Sequence, residues 1–241
     1  MLIKNATLPD GRSGIDVLVR EGRIAALGPN LAAPEGVQVI EAAGQLLSPP
    51  FVDAHFHMDA TLSVGLPRVN ESGTLLEGIA LWGELKPQLT QQALVERALQ
   101  YCDWAVAKGL LAIRSHVDVC DERLLAVEAL LHVRERVKPY LDLQLVAFPQ
   151  DGLLRAPNAL ANLKRALDLG VDVVGGIPHF ERTAEQGAQS VKLLCELAAE
   201  RGLRVDMHCD ESDDPLSRHV ETLAFHTQRL GLQGRVTGSH L

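Results

Sequence analysis

The stretch Phe51-Val52-Asp53-Ala54-His55-Phe56-His57-Met58-Asp59 decides how the remainder of this chain is read. Side chains alternate between the two faces of a strand, so His55 and His57 project the same way, roughly 6–7 Å apart along it. An apolar run leads into them, after Gly44 and the Pro49-Pro50 pair. Two imidazoles on one face at a strand's end can bind one divalent metal ion, and neutral imidazole suits zinc and iron alike. An H-x-H taken alone is equally compatible with two histidines on a half-exposed strand.

Downstream of this stretch the texture is apolar strands alternating with helical patterns. Strands are expected at 51–57, 110–118, 142–149, 171–178, 204–211 and 235–241. After the first, their starts fall about thirty residues apart, the size of a βα repeat. Several helical patterns end at Lys108-Gly109, Leu169-Gly170, Arg201-Gly202 and Leu230-Gly231, where glycine suits a left-handed C-cap ahead of the next strand. Segments 91–108 and 185–201 repeat apolar residues at three- and four-residue spacings with charges opposite. Strands 110–118 and 171–178 are apolar nearly throughout, as in a parallel sheet buried on both faces. Upstream, residues 1–48 read as short strands (Leu2-Ile3, Ile15–Val19, Arg23–Leu27, Gln38–Glu41) between turn signals, a small β unit with nothing catalytic in it.

Repeated βα units make either a doubly wound sheet or a (β/α)8 barrel. His55, His57, His116, Asp118, Gln150, His179, His208, Glu211 and His240 all fall at or just past the C-terminal ends of strands, where barrels build their sites. Neither G-x-G-x-x-G nor a P-loop occurs, so a barrel over 49–241 is the expected fold.

Composition bounds the function. With 46% hydrophobic and 22% charged residues the chain is an ordinary globular sequence, and a net charge of −8 argues against nucleic acid or an anionic membrane as partner. No signal-peptide core opens the chain and charges interrupt every long apolar run, so a cytoplasmic protein without a membrane span is expected. Cys102, Cys120, Cys195 and Cys209 are scattered, with no C-x-x-C, and read as reduced, packed thiols.

His208-Cys209-Asp210-Glu211 is the second informative stretch. His208 can supply a third nitrogen ligand from another strand, and Glu211 suits a general acid/base moving a proton between water and substrate. The competing reading is a solvated acidic loop, since Asp210, Glu211, Asp213 and Asp214 form a charge run. His240 could hold the attacking water or stabilise negative charge; in a frayed terminus it would do nothing. Gln150 offers a donor and an acceptor to an amide or pyrimidine edge, or is simply a turn residue after Pro149. His116 and His179 could back the ligands or line the rim; singly, each reads as structural.

Together, the H-x-H with HVDV (116–119), VAFPQDG (146–152), DVVGGIPHFE (172–181), HCDE (208–211) and GSH (238–240) closely resembles the bacterial cytosine deaminases of the amidohydrolase superfamily. Ser72-Gly73-Thr74-Leu75-Leu76-Glu77-Gly78 fits the segment that follows the first strand there. The resemblance spans essentially the whole chain. It implies one divalent metal (zinc or iron) held by His55, His57 and His208, Glu211 as proton shuttle, Gln150 on the pyrimidine edge and His240 beside the reacting water. It implies deamination of cytosine or a close relative with release of ammonia, a mononuclear site since no lysine stands on the fourth strand, and residues 1–48 as half of a composite β-sandwich. A homo-oligomer is expected of the full-length protein. Where the pattern breaks is at the end: the family completes its metal site with an aspartate after the eighth strand, and this sequence reaches only the sixth. Barrels of this kind take about 250 residues and only ~190 follow the β unit, so a truncated barrel is expected, the N-terminal portion of a longer enzyme. The alternatives are hydrolysis of N-alkylamino-triazines or cyclic amides at the same site, or an inactive chain that needs a complementing partner.

Overall fold

The computed structural model describes residues 1–241, which separate into two compact units, Met1–Pro50 and Phe51–Leu241. In the first unit, β1 (Leu2–Ala6), β2 (Ile15–Arg20), β3 (Arg23–Gly28) and β4 (Val39–Glu41) form one sheet in the order β3-β2-β1-β4. The β1/β2 and β2/β3 pairs are antiparallel and β1/β4 is parallel. Glu21 and Gly22 turn the β2–β3 hairpin with positive φ at both positions, 50° and 71°, the twist-matched two-residue turn. Leu8, Ile15 and Val17 form its small core, and the buried Asp16 carboxylate accepts the backbone N–H groups of Asn5 and Leu31 at 2.8 and 2.9 Å.

The second unit alternates strands and helices: β5 (Phe51–Phe56), α1 (Leu75–Leu85), α2 (Gln91–Ala107), β6 (Leu110–Asp118), α3 (Leu125–Val137), β7 (Asp142–Phe148), α4 (Ala159–Asp168), β8 (Val173–Gly176), α5 (Ala184–Arg201), β9 (Arg204–His208), α6 (His219–Arg229) and β10 (Val236–Ser239). All six strands are parallel and lie in sequential order from β5 to β10. Threonine side chains cap three helices: Thr74, Thr90 and Thr183 accept the backbone N–H groups of Glu77, Ala93 and Gln186. At the other end of α5, Gly202 takes φ 67° as the left-handed C-cap that the Arg201-Gly202 pair leads one to expect. α2 buries Leu94, Ala98, Cys102 and Ala105, spaced four, four and three apart, so one stripe faces the sheet. All four cysteines are free thiols, and no helix is long and apolar enough to cross a membrane.

Three strands are much shorter than their sequence suggests, among them β10, which covers Val236–Ser239 of the expected 235–241. Within the expected 171–178, β8 covers only Val173–Gly176, because Pro178, which has no N–H for a ladder, opens a single 3-10 turn over Pro178–Phe180. β9 stops at His208, since Asp210 takes φ 60° and turns its carboxylate back to the start of α6, accepting from His219 N and Val220 N at 3.0 and 2.9 Å. The Gly175-Gly176 pair in β8 has a steric cause: a Cβ on Gly175 would lie 2.5 Å from the Ala147 carbonyl oxygen, and one on Gly176 2.9 Å from Leu194.

The sheet curls. β5 and β10 are its two ends, five strand spacings apart, which in a flat sheet is roughly 24 Å. Yet His55 of β5 and His240, just past β10, bring their Nε2 atoms within 3.1 Å. Lower in the interior, Arg114 of β6 donates to Gln144 of β7 (2.7 Å), to Asp206 of β9 (2.8 Å) and to Thr237 of β10 (3.3 Å), and Ser239 donates to Asp206 at 3.0 Å. Burial alone would raise the Asp206 pKa; the nearby His116 ring and the bonds from Arg114 and Ser239 outweigh it and hold the carboxyl below the ordinary range. Asp206→Asn leaves the Arg114 guanidinium without its counter-charge in this interior and is expected to destabilise the unit by roughly 3–5 kcal/mol. Urea unfolding monitored by circular dichroism measures this, and an unchanged midpoint would show that the ion pair does not hold the curl.

Candidate functional site

The C-terminal ends of the curled strands carry a cluster of imidazoles. His55 comes from β5, His57 from the residue after it, His116 from β6, His208 from the last position of β9 and His240 from the residue after β10. His57 Nε2 and His208 Nε2 lie 3.1 Å apart, and the rings of His55 and His116 are 4.4 Å apart, those of His116 and His208 4.6 Å. Phe148, at the end of β7, stacks on His208 at 4.3 Å and meets His57 and His116 edge-on, forming an apolar floor. One nitrogen from each of His55, His57, His116 and His208 falls within 4.8 Å of the others, and His208 also belongs to a second such set with Glu211 and His240.

Burial and the neighbouring rings keep His55, His57 and His208 neutral. Burial, and then the neighbouring His116, pull the pKa of His55 down to about 4 and that of His57 to about 3, and the same causes press His208 lower still. Near pH 7 each therefore presents a lone pair. At 3.1 Å two neutral nitrogens either share one N–H···N bond or both face a cation, and the buried His116 Nε2 has no hydrogen-bond partner, its nearest carboxylate oxygen being Asp206 Oδ1 at 3.6 Å. A divalent cation would satisfy both features. Four tetrahedral imidazole ligands at 2.0–2.1 Å from a zinc ion lie about 3.3 Å from one another, close to the 3.1 Å seen here. The donor set thus fits a divalent metal, and neutral nitrogen ligands suit zinc and iron equally.

Beside the cluster lies a cavity of about 480 Å³. His55, His57, His208, Glu211, His240 and Gln150, the six residues singled out in the sequence, all line it. The loop that holds Gln150 turns sharply, Gln150 N donating to Phe148 O and Gly152 N to Pro149 O. His179, in the 3-10 turn after β8, lines the same cavity. The acidic run divides: Asp210 caps α6, Asp213 and Asp214 are exposed, and Glu211 alone of the four reaches both the cavity and the His208–His240 donor set.

Sequence reasoning under-read two parts of the site. His116 is fully buried inside the cluster rather than behind or beside it. The signal for it was Arg114, His116 and Asp118 at alternate positions of β6, three charged or polar residues on the face that turns inward. The cavity wall from α1 (Leu75, Leu76, Ile79 and Trp82) was touched only by the resemblance at 72–78, which gave it no role, since an apolar helix face looks the same whether it meets a core or a ligand. Asp59 is a further addition: buried, it accepts Asp118 N at 2.8 Å, and burial raises its pKa to about 7.

Comparison with known proteins agrees with this geometry. The chain is 32% identical over 248 residues to N-isopropylammelide isopropyl amidohydrolase of Pseudomonas sp. (strain ADP), with 100% of this chain and 60% of that protein aligned. It superposes on the crystal structure of 5-methylcytosine deaminase from Klebsiella pneumoniae liganded with phosphonocytosine with a TM-score of 0.94 at 41% identity, covering 99% of this chain and 58% of that one. N-isopropylammelide isopropylaminohydrolase from Burkholderia multivorans gives a TM-score of 0.83 at 28% identity, covering 98% and 60%. The chain therefore spans about three-fifths of the length of these relatives. Residues 38–241 match the Amidohydrolase family, and this chain belongs to that family.

Proposed function

We propose that this chain supplies the metal-binding and proton-transfer residues of a hydrolytic deaminase that acts on cytosine, 5-methylcytosine or a closely related aminoheterocycle. The observation that carries this reading is the meeting of His55, His57 and His208 with Glu211, His240 and Gln150 around one cavity. His55, His57 and His208 would hold one divalent ion, which when bound lowers the pKa of water and polarises the reacting carbon. The Glu211 carboxylate accepts the proton that the attacking water gives up and delivers it to the departing exocyclic nitrogen, so that the carbon–nitrogen bond breaks and ammonia leaves. His240, its Nε2 held 3.1 Å from His55 Nε2, stands beside the incoming oxygen and hydrogen-bonds to it as charge develops. Gln150 presents its amide to the ring edge, one donor and one acceptor, and the α1 wall shields the ring from water.

A second reading keeps the site and changes the leaving group to an alkylamine on a triazine ring. The 32% identity to N-isopropylammelide isopropyl amidohydrolase favours it. One assay separates the two: zinc- or iron-loaded protein is given cytosine, 5-methylcytosine, isocytosine and N-isopropylammelide, and ammonia and isopropylamine are both quantified. Ammonia from the pyrimidines is the expected result. Isopropylamine alone would establish the second reading, and neither product from loaded protein would overturn both.

A further inference from the structure

The Gln150 loop and the α1 wall both line the cavity, and one buried cation connects them. α1 lays Leu75, Ile79 and Trp82 along the cavity at helical spacing, and Lys86 follows directly at the helix's C-terminal end. The Lys86 side chain is only 12% exposed. Its ammonium lies 2.6 Å from Asp118 Oδ2 and 2.7 Å from Asp151 Oδ2. The same Asp118 oxygen accepts the indole N–H of Trp82 at 2.8 Å, so the acceptor that orients Trp82 is fixed by Lys86. Asp118 is fixed on its other sides too, its Oδ1 accepting Cys120 N at 2.7 Å and its own N–H donating to Asp59 at 2.8 Å. Asp151, the second anchor, is the residue after Gln150, and its N–H points to Cys120 Sγ at 3.4 Å.

We propose that Lys86 is a positioning residue for substrate binding: by bridging Asp118 and Asp151 it sets the distance between the Trp82 wall and the Gln150 loop, and so the width of the slot that grips a planar ring. The role of Gln150 in this inference rests on the aminoheterocycle reading above; the coupling of Trp82 to Lys86 does not. Burial acts to lower the Lys86 pKa, but the two carboxylates outweigh it and keep the ammonium charged. A salt bridge of purely structural use would tie core elements together; this one joins two parts of one cavity's lining, through Trp82, which lines it, and Asp151, which follows the lining residue Gln150.

The test uses a Trp104→Phe background, which leaves Trp82 as the sole tryptophan of the chain. Lys86→Met and Asp151→Asn are each expected to raise KM for the aminoheterocycle roughly tenfold while kcat stays within about threefold, the mark of lost ground-state binding. Lys86→Arg, which keeps a cation between the carboxylates, is expected to recover most of the KM. Lys86→Met is also expected to increase acrylamide quenching of Trp82 emission and shift it to the red, as the indole loses its fixed acceptor. An unchanged KM, or a fall in kcat with KM unmoved, in folded variants would overturn the proposal. If Lys86→Met does not fold, Asp151→Asn, which leaves the Lys86–Asp118 pair intact, decides by the same KM criterion. If the parent turns over no aminoheterocycle, the functional reading fails while the bridge is still decided: Trp82 quenching equal in parent and variants would overturn it.

Discussion

His208→Ala is expected to strip the site of metal and leave no measurable turnover. His208 is the one residue common to both donor sets, meeting His55, His57 and His116 on one side and Glu211 and His240 on the other. Its Nε2 lies 3.1 Å from that of His57, so the ligand geometry is built around it. Losing a group that only supports a ligand costs about 10–100-fold in metal affinity. Losing His208 itself should exceed the upper end of that range. His116→Ala provides the comparison, because His55, His57 and His208 all remain in place, and a loss within the 10–100-fold range is expected. Zinc content after dialysis against a chelator, with circular dichroism to show that the variant is folded, measures both. If the His208 variant kept its metal as tightly as the parent, the metal would have to sit elsewhere. The depressed histidine pKa values add a second readout on the parent. Protons compete poorly for ligands held near 4 or below, so metal should be retained at pH 5 and lost on approaching the values for His55 and His57.

The βα repeat was legible in the sequence because its causes are local. Strands buried on both faces leave apolar runs such as Leu145–Phe148, and the helices between them end on glycines like Gly170 and Gly202, whose φ values of 103° and 67° few other residues accept. His55 and His57 were legible for the same reason, being two residues apart in one strand. What could not be read was convergence. His116 stands alone on β6, and nothing in its neighbourhood reveals that β5 and β9 bend towards it until the rings of His55 and His208 lie 4.4 and 4.6 Å away. The curl depends on contacts such as Arg114 with Asp206, 92 residues apart in sequence. The bridge at Lys86 is a stronger case: its partners lie 32 and 65 positions on, in two different loops or strands, and no periodicity connects them.

The acidic run at 210–214 shows how two sequence readings can both hold. A solvated, structural loop describes Asp213 and Asp214, and helix capping describes Asp210, whose carboxylate also accepts the Ser217 hydroxyl at 2.7 Å. Those bonds consume the charge of Asp210 and pull its pKa to about 2 despite burial, which acts to raise it. A carboxylate so committed cannot relay protons near neutrality. Glu211 keeps its carboxylate uncommitted to any such cap and faces the cavity, so of the two adjacent acids only it suits proton transfer.

Glu211→Gln isolates that step from metal binding. The amide has the shape of the carboxylate but cannot carry a proton between water and the leaving nitrogen. We expect kcat to fall by roughly 10²–10⁴-fold, the usual contribution of a positioned acid/base, with metal content unchanged and KM within a few-fold. Metal content is the discriminating measurement, because Glu211 also belongs to the donor set with His208 and His240. A variant that loses its metal together with its rate would make Glu211 a ligand, and the proton would need another carrier. The metal-site histidines are poor substitutes: His55 and His57 hold their pKa values at about 4 and 3, too low to take a proton from water near pH 7. Asp59 has a pKa raised to about 7, but its carboxylate is buried and already accepts the Asp118 N–H. A full rate in Glu211→Gln would therefore sink the role of Glu211 as proton carrier and pass it to His240, the imidazole that lines the same cavity.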